Sequence, residues 1–173
     1  MIEHFSTDTE PSNLANAFAQ IKEHSSFHGL PLELAIYHVK HSSKKPFLEE
    51  TPGAFGESLQ TYATGAFTFA QEALKRIYAD HGGETSLSET EGRKKGTIIF
   101  TGTLGAIRTN AEYNAYGAGR AAVRMVAQGL AKEVSKNGVH VVHTIANGGI
   151  KDEDSVETRT GLAFGSSHRR FSR

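Results

Sequence analysis

A short apolar run, followed by small residues and then by an alanine-rich helix, constrains this chain more than any other feature. Residues 97–100 read TIIF, without the polar alternation of a half-exposed strand. Such a run is typical of a strand that is covered on both faces in a parallel sheet. Thr103 comes just after it, where open α/β sheets bind their ligands. The segment therefore predicts a strand with a ligand site at its carboxyl end.

Apolar runs and helical patterns alternate along the rest of the chain. Strands are predicted over residues 32–39, 97–101 and 139–145, and apolar residues at helical intervals predict long helices over 55–78 and 113–136. Alternation of this kind indicates an α/β fold in which right-handed crossovers join parallel strands. We expect helices on both faces of the sheet.

The amino-terminal residues predict a further strand and helix. Residues 4–8 have the composition of a short strand that ends at Asp8, and Pro11 then opens a helix over residues 14–24. No repeat or low-complexity tract interrupts the chain. A length of 173 residues predicts one domain, since domains typically hold about 100–200 residues.

Composition and charge exclude several classes of protein. The 19 basic and 19 acidic residues cancel, so no overall charge would attract nucleic acid or a membrane surface. The chain lacks cysteine, which fits a reducing compartment. It shows neither a secretory leader nor an apolar run long enough to span a bilayer, so we expect it in the cytoplasm.

Two polar residues of the second long helix stand out. Tyr116 and Arg120 are four residues apart, so they share one helix face. A permanent cation beside a phenol favours the phenolate, and the pair is therefore a candidate acid and base. By contrast, His140 and His143 are three residues apart in a strand and point to opposite faces. No residue set is predicted to hold a metal.

The segment Tyr116-Gly117-Ala118-Gly119-Arg120, thirteen residues after Thr103, resembles the catalytic half of a short-chain dehydrogenase/reductase. That family carries a Ser after its fifth strand and a Tyr-x-x-x-Lys at the start of the next long helix. The similarity covers most of residues 5–150. It implies an incomplete, three-layer Rossmann-like domain over residues 1–150, a doubly wound parallel sheet without its first strands and its last. Residues 151–173 are expected to form an irregular tail.

The resemblance also implies an activity. It is hydride transfer between a nicotinamide cofactor, NAD or NADP, and a small carbonyl or alcohol substrate. Tyr116 would donate the proton, Thr103 would hydrogen-bond the substrate oxygen, and Arg120 would hold the ribose hydroxyls. The residues implied to bind the cofactor are Asp8, Tyr116, Arg120, Gly148 and Ile150.

Several departures from the family pattern keep a second reading open. Arg120 replaces Lys, Thr103 replaces Ser, Tyr62 replaces a structural Asn, and residues 37–40 replace an Asn-Asn-Ala-Gly turn. No glycine-rich loop precedes residue 5. The alternative is an inactive remnant that acts as a dimerising or regulatory subunit.

Assembly is the remaining expectation. In the resembled family the helices that match 55–78 and 113–136 pair across a dimer axis, which predicts a homo-oligomer here. Gly117 and Gly119 would let the second helix approach a neighbour closely, at a cost of about 0.5–1 kcal/mol each relative to Ala. The edge of strand 32–39 is expected to be bare, which favours pairing with another chain.

Overall fold

The computed structural model describes residues 2–147, which form a three-stranded parallel sheet and four α-helices. The sheet order is β1-β2-β3, and Ile36, Ile99 and Val142 lie side by side across it. The predicted parallel α/β fold, an incomplete Rossmann-like sheet, is confirmed. In chain order the elements are α1 Pro11–Glu23, β1 Leu34–Tyr37, α2 Pro52–Leu59, α3 Gly65–Asp80, β2 Gly96–Thr103, α4 Asn114–Val134 and β3 Val139–Ala146.

One face of the sheet forms the core. Ile98 and Phe100 of β2 have no exposed surface, and they pack against Ala73 of α3 and Val123 of α4. Burying a side chain of this size contributes about 1.5–3 kcal/mol relative to leaving it in water. The small residues of both helices allow them to lie close to the strands, so this face fixes where α4 sits.

The other face of the sheet is not covered within residues 2–147. Leu34 and Ile36 of β1 are 51% and 50% exposed. The expectation of helices on both faces is therefore wrong for this part of the chain. The reason is topological: the strands follow one another in a single direction, so right-handed crossovers place α3 and α4 on the same side. Helix α1 packs against α3, through the rings of Phe18 and Phe69, rather than against the open face.

Residues 4–8 do not form the predicted strand. The carboxylate of Asp8 instead accepts hydrogen bonds from the side chain of Asn13 and from the amide of Glu10, both at 2.9 Å. An aspartate that bonds to the backbone two residues later favours a turn. Pro11 then occupies the first turn of α1, where its missing N–H costs nothing.

The first predicted long helix is interrupted by one π-turn. Helix α2 and helix α3 are joined by a π-helical segment at Gln60–Thr64, in which the amide of Gly65 donates to the carbonyl of Gln60. This longer hydrogen bond frees the carbonyl of Thr61, which accepts from the Tyr37 hydroxyl at 2.6 Å. A π-turn inside a helix often accompanies a functional site. Here it places Tyr62 toward the carboxyl ends of the strands.

Candidate active site

The hydroxyl groups of Thr103 and Tyr116 form a hydrogen bond of 2.7 Å. Thr103 is the last residue of β2, and Tyr116 lies in the first turn of α4. Gly105 lies next to both residues, and a Cβ atom on it would come within 2.6 Å of the Tyr116 ring. Because real Cβ atoms do not approach that closely, glycine lets the ring reach Thr103. The structure thus brings two of the predicted site residues together.

This pair opens onto a cleft of about 470 Å³ at the carboxyl end of the sheet. A volume of several hundred Å³ is ordinary for a small-molecule site. The turn after β2 forms one wall and the start of α4 forms another. Residues that line it include Thr103, Gly105, Arg108, Asn110, Tyr113 and Tyr116.

Arg120 lies beside Tyr116, and it also joins β2 to the loop after β1. Its guanidinium donates to the carbonyl of Thr101 at 3.0 Å and to that of Val39 at 3.3 Å. Arg120 is 7% exposed. The Cζ atom of its guanidinium lies 5.4 Å from the centre of the Tyr116 ring and 4.2 Å from that of Tyr62. The sequence predicted the proximity to Tyr116. It did not predict that the guanidinium would bridge β2 and the loop after β1.

Tyr62, at the position of the family's structural Asn, is completely buried. Its hydroxyl accepts from the amide of His41 at 2.8 Å and also donates to the carbonyl of His41. Its ring meets the Tyr116 ring edge-on at 6.1 Å between centroids. Tyr62 therefore anchors the loop after β1 and packs on both Tyr116 and Arg120. The helical spacing indicated only that this residue would be buried.

His38 adds a polar group near the same edge of the sheet. Its Nδ1 lies 2.9 Å from the Thr101 hydroxyl, and that hydroxyl donates to the carbonyl of Tyr37. The Thr101 hydroxyl has one proton, which it can donate either to this carbonyl or to Nδ1 of His38, and that choice fixes the tautomer of the ring. The ring lies on the exposed side of the strand end.

Asp8 is the one predicted site residue that the structure describes and that is not part of this cluster. Asp8 is exposed at the turn into α1, where the hydrogen bond from Asn13, and then that from the Glu10 amide, lower the pKa of its carboxyl group. Gly148 and Ile150 lie outside the described residues. A cofactor-binding role for these three residues stays a prediction.

Residues 2–147 offer a pair of hydroxyl groups at the cleft but no loop of the kind that binds a pyrophosphate. The hydroxyl pair of Thr103 and Tyr116 lies at the cleft and could meet a substrate oxygen next to a nicotinamide ring. Within residues 2–147, no glycine-rich loop joins a strand to a helix in the pattern that binds a pyrophosphate.

In the same range no group of three His, Cys, Asp or Glu side chains could hold a metal ion, and no helix is long and apolar enough to cross a membrane.

A family model described as enoyl-(acyl carrier protein) reductase matches residues 8–164. The chain therefore belongs to the short-chain dehydrogenase/reductase family. A search of curated proteins returns no match.

Solved structures show the same fold at low sequence identity. A short-chain dehydrogenase from Rhodopseudomonas palustris is 23% identical, with a TM-score of 0.64, over 79% of this chain and 56% of that one. A 3-oxoacyl-[acyl-carrier protein] reductase from Brucella melitensis is 16% identical, with a TM-score of 0.69, over 83% of this chain and 54% of that one. A gluconate 5-dehydrogenase from Burkholderia cenocepacia, solved with NADP and tartrate, is 15% identical, with a TM-score of 0.65, over 80% of this chain and 48% of that one. The chain thus spans about half the length of these structures.

Proposed function

We propose that this chain provides the catalytic half of an NAD(P)-dependent oxidoreductase that interconverts a carbonyl and an alcohol, with Tyr116 as acid and base. The observation that supports this most is the 2.7 Å contact between the hydroxyls of Thr103 and Tyr116 at the edge of a cleft. Family membership adds the reaction class.

Three residues have separate roles in the proposed reaction. A bound nicotinamide supplies or accepts the hydride. The Tyr116 hydroxyl donates its proton to the carbonyl oxygen as charge develops there, and the Thr103 hydroxyl holds that oxygen by a second hydrogen bond. Arg120 cannot give up a proton, so it supplies positive charge and holds the Tyr116 ring rather than relaying protons.

A second role, as a dimerising subunit, is supported by an apolar groove between α3 and α4. Phe67 and Met125 are 53% and 51% exposed on its two sides, and the groove has a volume of about 290 Å³. Exposed apolar patches of this kind commonly mark contacts between proteins. We propose a second copy of this chain as the occupant, in line with the pairing of helices 55–78 and 113–136 expected from the family. A dimer is compatible with an active or an inactive site.

Cofactor binding separates the active protein from the inactive remnant. We expect titration with NADH or NADPH to quench or shift the fluorescence of the protein–cofactor mixture until binding saturates. Reduced nicotinamide mononucleotide should bind within about tenfold of the full cofactor, a gap of about 1.4 kcal/mol, if residues 2–147 hold only the nicotinamide end.

A pair of glycine variants provides the matched control for this titration. Gly105→Ala should abolish binding or weaken it strongly, because the new Cβ displaces the Tyr116 ring. Gly56→Ala should leave it unchanged, because nothing lies within 4 Å of a Cβ at that position. If neither cofactor binds at millimolar concentration to the unaltered chain, the oxidoreductase proposal fails.

A further inference from the structure

The charge that residues 2–147 bring to the cleft is one-sided. Arg108 lines it, and no Asp or Glu of these residues does. Arg108 is exposed, and within residues 2–147 it forms no ion pair. A guanidinium in such a position binds carboxylate or phosphate oxygens well, because its fork of donors matches their geometry.

The nearest carboxylate along the chain does not offset this charge. Glu112 forms an ion pair with Lys44, with 3.4 Å between the Lys44 Nζ and a carboxylate oxygen of Glu112. The backbone of Lys45 also bonds to the carbonyl of Glu112, so the loop after β1 holds this residue from the other side. The acidic group that could have neutralised Arg108 is thus already paired.

The start of α4 adds to the positive side of the cleft. Tyr116, in the first turn of this 21-residue helix, lines the cleft, and so does Tyr113 at the N-cap position. That turn has no side-chain cap and no acidic residue. Uncapped amide groups at a helix start carry partial positive charge and favour an anion.

We infer that the substrate of this cleft is a carbonyl or alcohol compound that also carries an anionic group, a carboxylate or a phosphate, bound by Arg108 beside the first turn of α4. The inference rests on the proposed function, since it assigns the substrate oxygen to Tyr116 and Thr103. Arg108 then determines specificity, and it takes no part in proton transfer.

Paired probes that differ only in charge test this inference. The carboxylate probes are acetoacetate and levulinate, each against its methyl ester, and the phosphate probe is dihydroxyacetone phosphate against dihydroxyacetone. Binding to the full chain is measured by isothermal titration, and reduction with NADPH is measured separately. We expect at least one acid to bind about tenfold tighter than its neutral partner, as for one charge-assisted hydrogen bond. The tighter class identifies the anionic group as carboxylate or phosphate.

Variants at two arginines link the preference to its residue. Arg108→Gln should remove the preference, raising the dissociation constant and KM of the charged probe about tenfold while kcat and the neutral probe change little. Arg108→Lys should restore part of it. Arg93→Gln, a change of an exposed arginine just before the amino end of β2, is the matched control and should change nothing.

The outcomes separate this inference from the proposed function. Equal binding of charged and neutral probes by the unaltered chain, or an equal loss of both in Arg108→Gln, overturns the inference even if both are reduced. Charge-selective binding that depends on Arg108, without any hydride transfer, supports the inference that the cleft selects anions and counts against the oxidoreductase.

Discussion

The two halves of α4 have similar small residues but different surroundings. A Cβ atom on Gly119, in the amino half, would lie 2.6 Å from the Tyr62 ring and 2.7 Å from the Ser58 hydroxyl. A Cβ atom on Gly129, in the carboxyl half, would meet nothing within 4 Å. The amino half packs closely against other parts of its own chain, and the carboxyl half borders the apolar groove between α3 and α4. Glycine in this helix therefore indicates close packing at one end only.

The charged residues of α4 follow the same division. Arg120 is buried in the amino half against Tyr62 and Tyr116, whereas Arg124, one turn further on, is exposed. The closely packed amino half carries the candidate active site, as expected for side chains that must keep a fixed geometry. The open end carries the proposed contact with a second copy.

Exchange of Arg120 for lysine should have the largest effect on stability. An ammonium group cannot reach the carbonyls of Thr101 and Val39 in the geometry of the guanidinium, so we expect Arg120→Lys to lower the free energy of unfolding by about 2–3 kcal/mol. Arg124→Lys, on the exposed side, should change it by less than about 0.5 kcal/mol. Urea denaturation of both variants provides the measurement. Equal effects would mean that the two guanidiniums do not differ in their surroundings.

The two glycines should respond in opposite directions. Gly119→Ala should cost about 1–3 kcal/mol, because its Cβ overlaps Ser58 and Tyr62. Gly129→Ala should gain about 0.5–1 kcal/mol in the monomer, because alanine is the better helix former and has room within its own chain. Thermal and urea unfolding should show the opposite signs. A stabilising Gly119→Ala would contradict the close packing of the amino half.

A charge in the groove should weaken assembly. Met125→Glu places a carboxylate where the proposed second copy packs, so we expect the dimer dissociation constant to rise about tenfold or more, a cost of at least about 1.4 kcal/mol. Gln128→Glu adds the same charge to an exposed position of α4 that does not line the groove. Sedimentation analysis of both variants should show dissociation only in the first. A monomer before any substitution would remove the proposed interface.

The smallest effect should appear in the dependence of stability on pH. Burial, and then the charges of Arg124 and Arg120, lower the pKa of His143 in the folded chain. The unfolded chain therefore takes up the proton first, and the contribution to stability is lost as the pH falls below about 6.5 and through the folded pKa. His143→Gln should flatten this acid-side decline, whereas His140→Gln, at an exposed position of the same strand, should not. A steeper loss of stability at low pH in His143→Gln would contradict a lowered pKa of His143.

Local pattern predicted the parallel sheet and the shared helix face of Tyr116 and Arg120, whereas the place of Thr103 beside Tyr116 was implied by the family resemblance. The TIIF run and the helical spacing each depend on neighbours within a few residues, so they could be read directly from the sequence. The interactions of Arg120 with Val39 and of Tyr62 with His41 could not, because they join residues far apart in the chain and use backbone groups. Periodicity carries no signal for a π-turn, because it shifts the helix by one residue only.

The open face of the sheet has a different origin. The TIIF run predicts that β2 is covered on both faces, and the alternation of strands and helices predicts two helical layers. The order of the strands decides which side the helices take, and that order is a property of the whole sheet. Ile36 is therefore half exposed although its sequence context is that of a buried strand.

Turnover of the Tyr116→Phe variant tests the central claim most directly. The change removes the hydroxyl that contacts Thr103 and keeps the ring against Arg120 and Tyr62. With a substrate that the unaltered chain reduces, we expect kcat to fall about 10²–10⁴-fold, while NADPH binding and the unfolding temperature change little. Tyr78→Phe, whose hydroxyl accepts from Asn137 away from the cleft, should keep full activity. Full turnover by Tyr116→Phe would contradict the role of Tyr116 as the acid and base of this site.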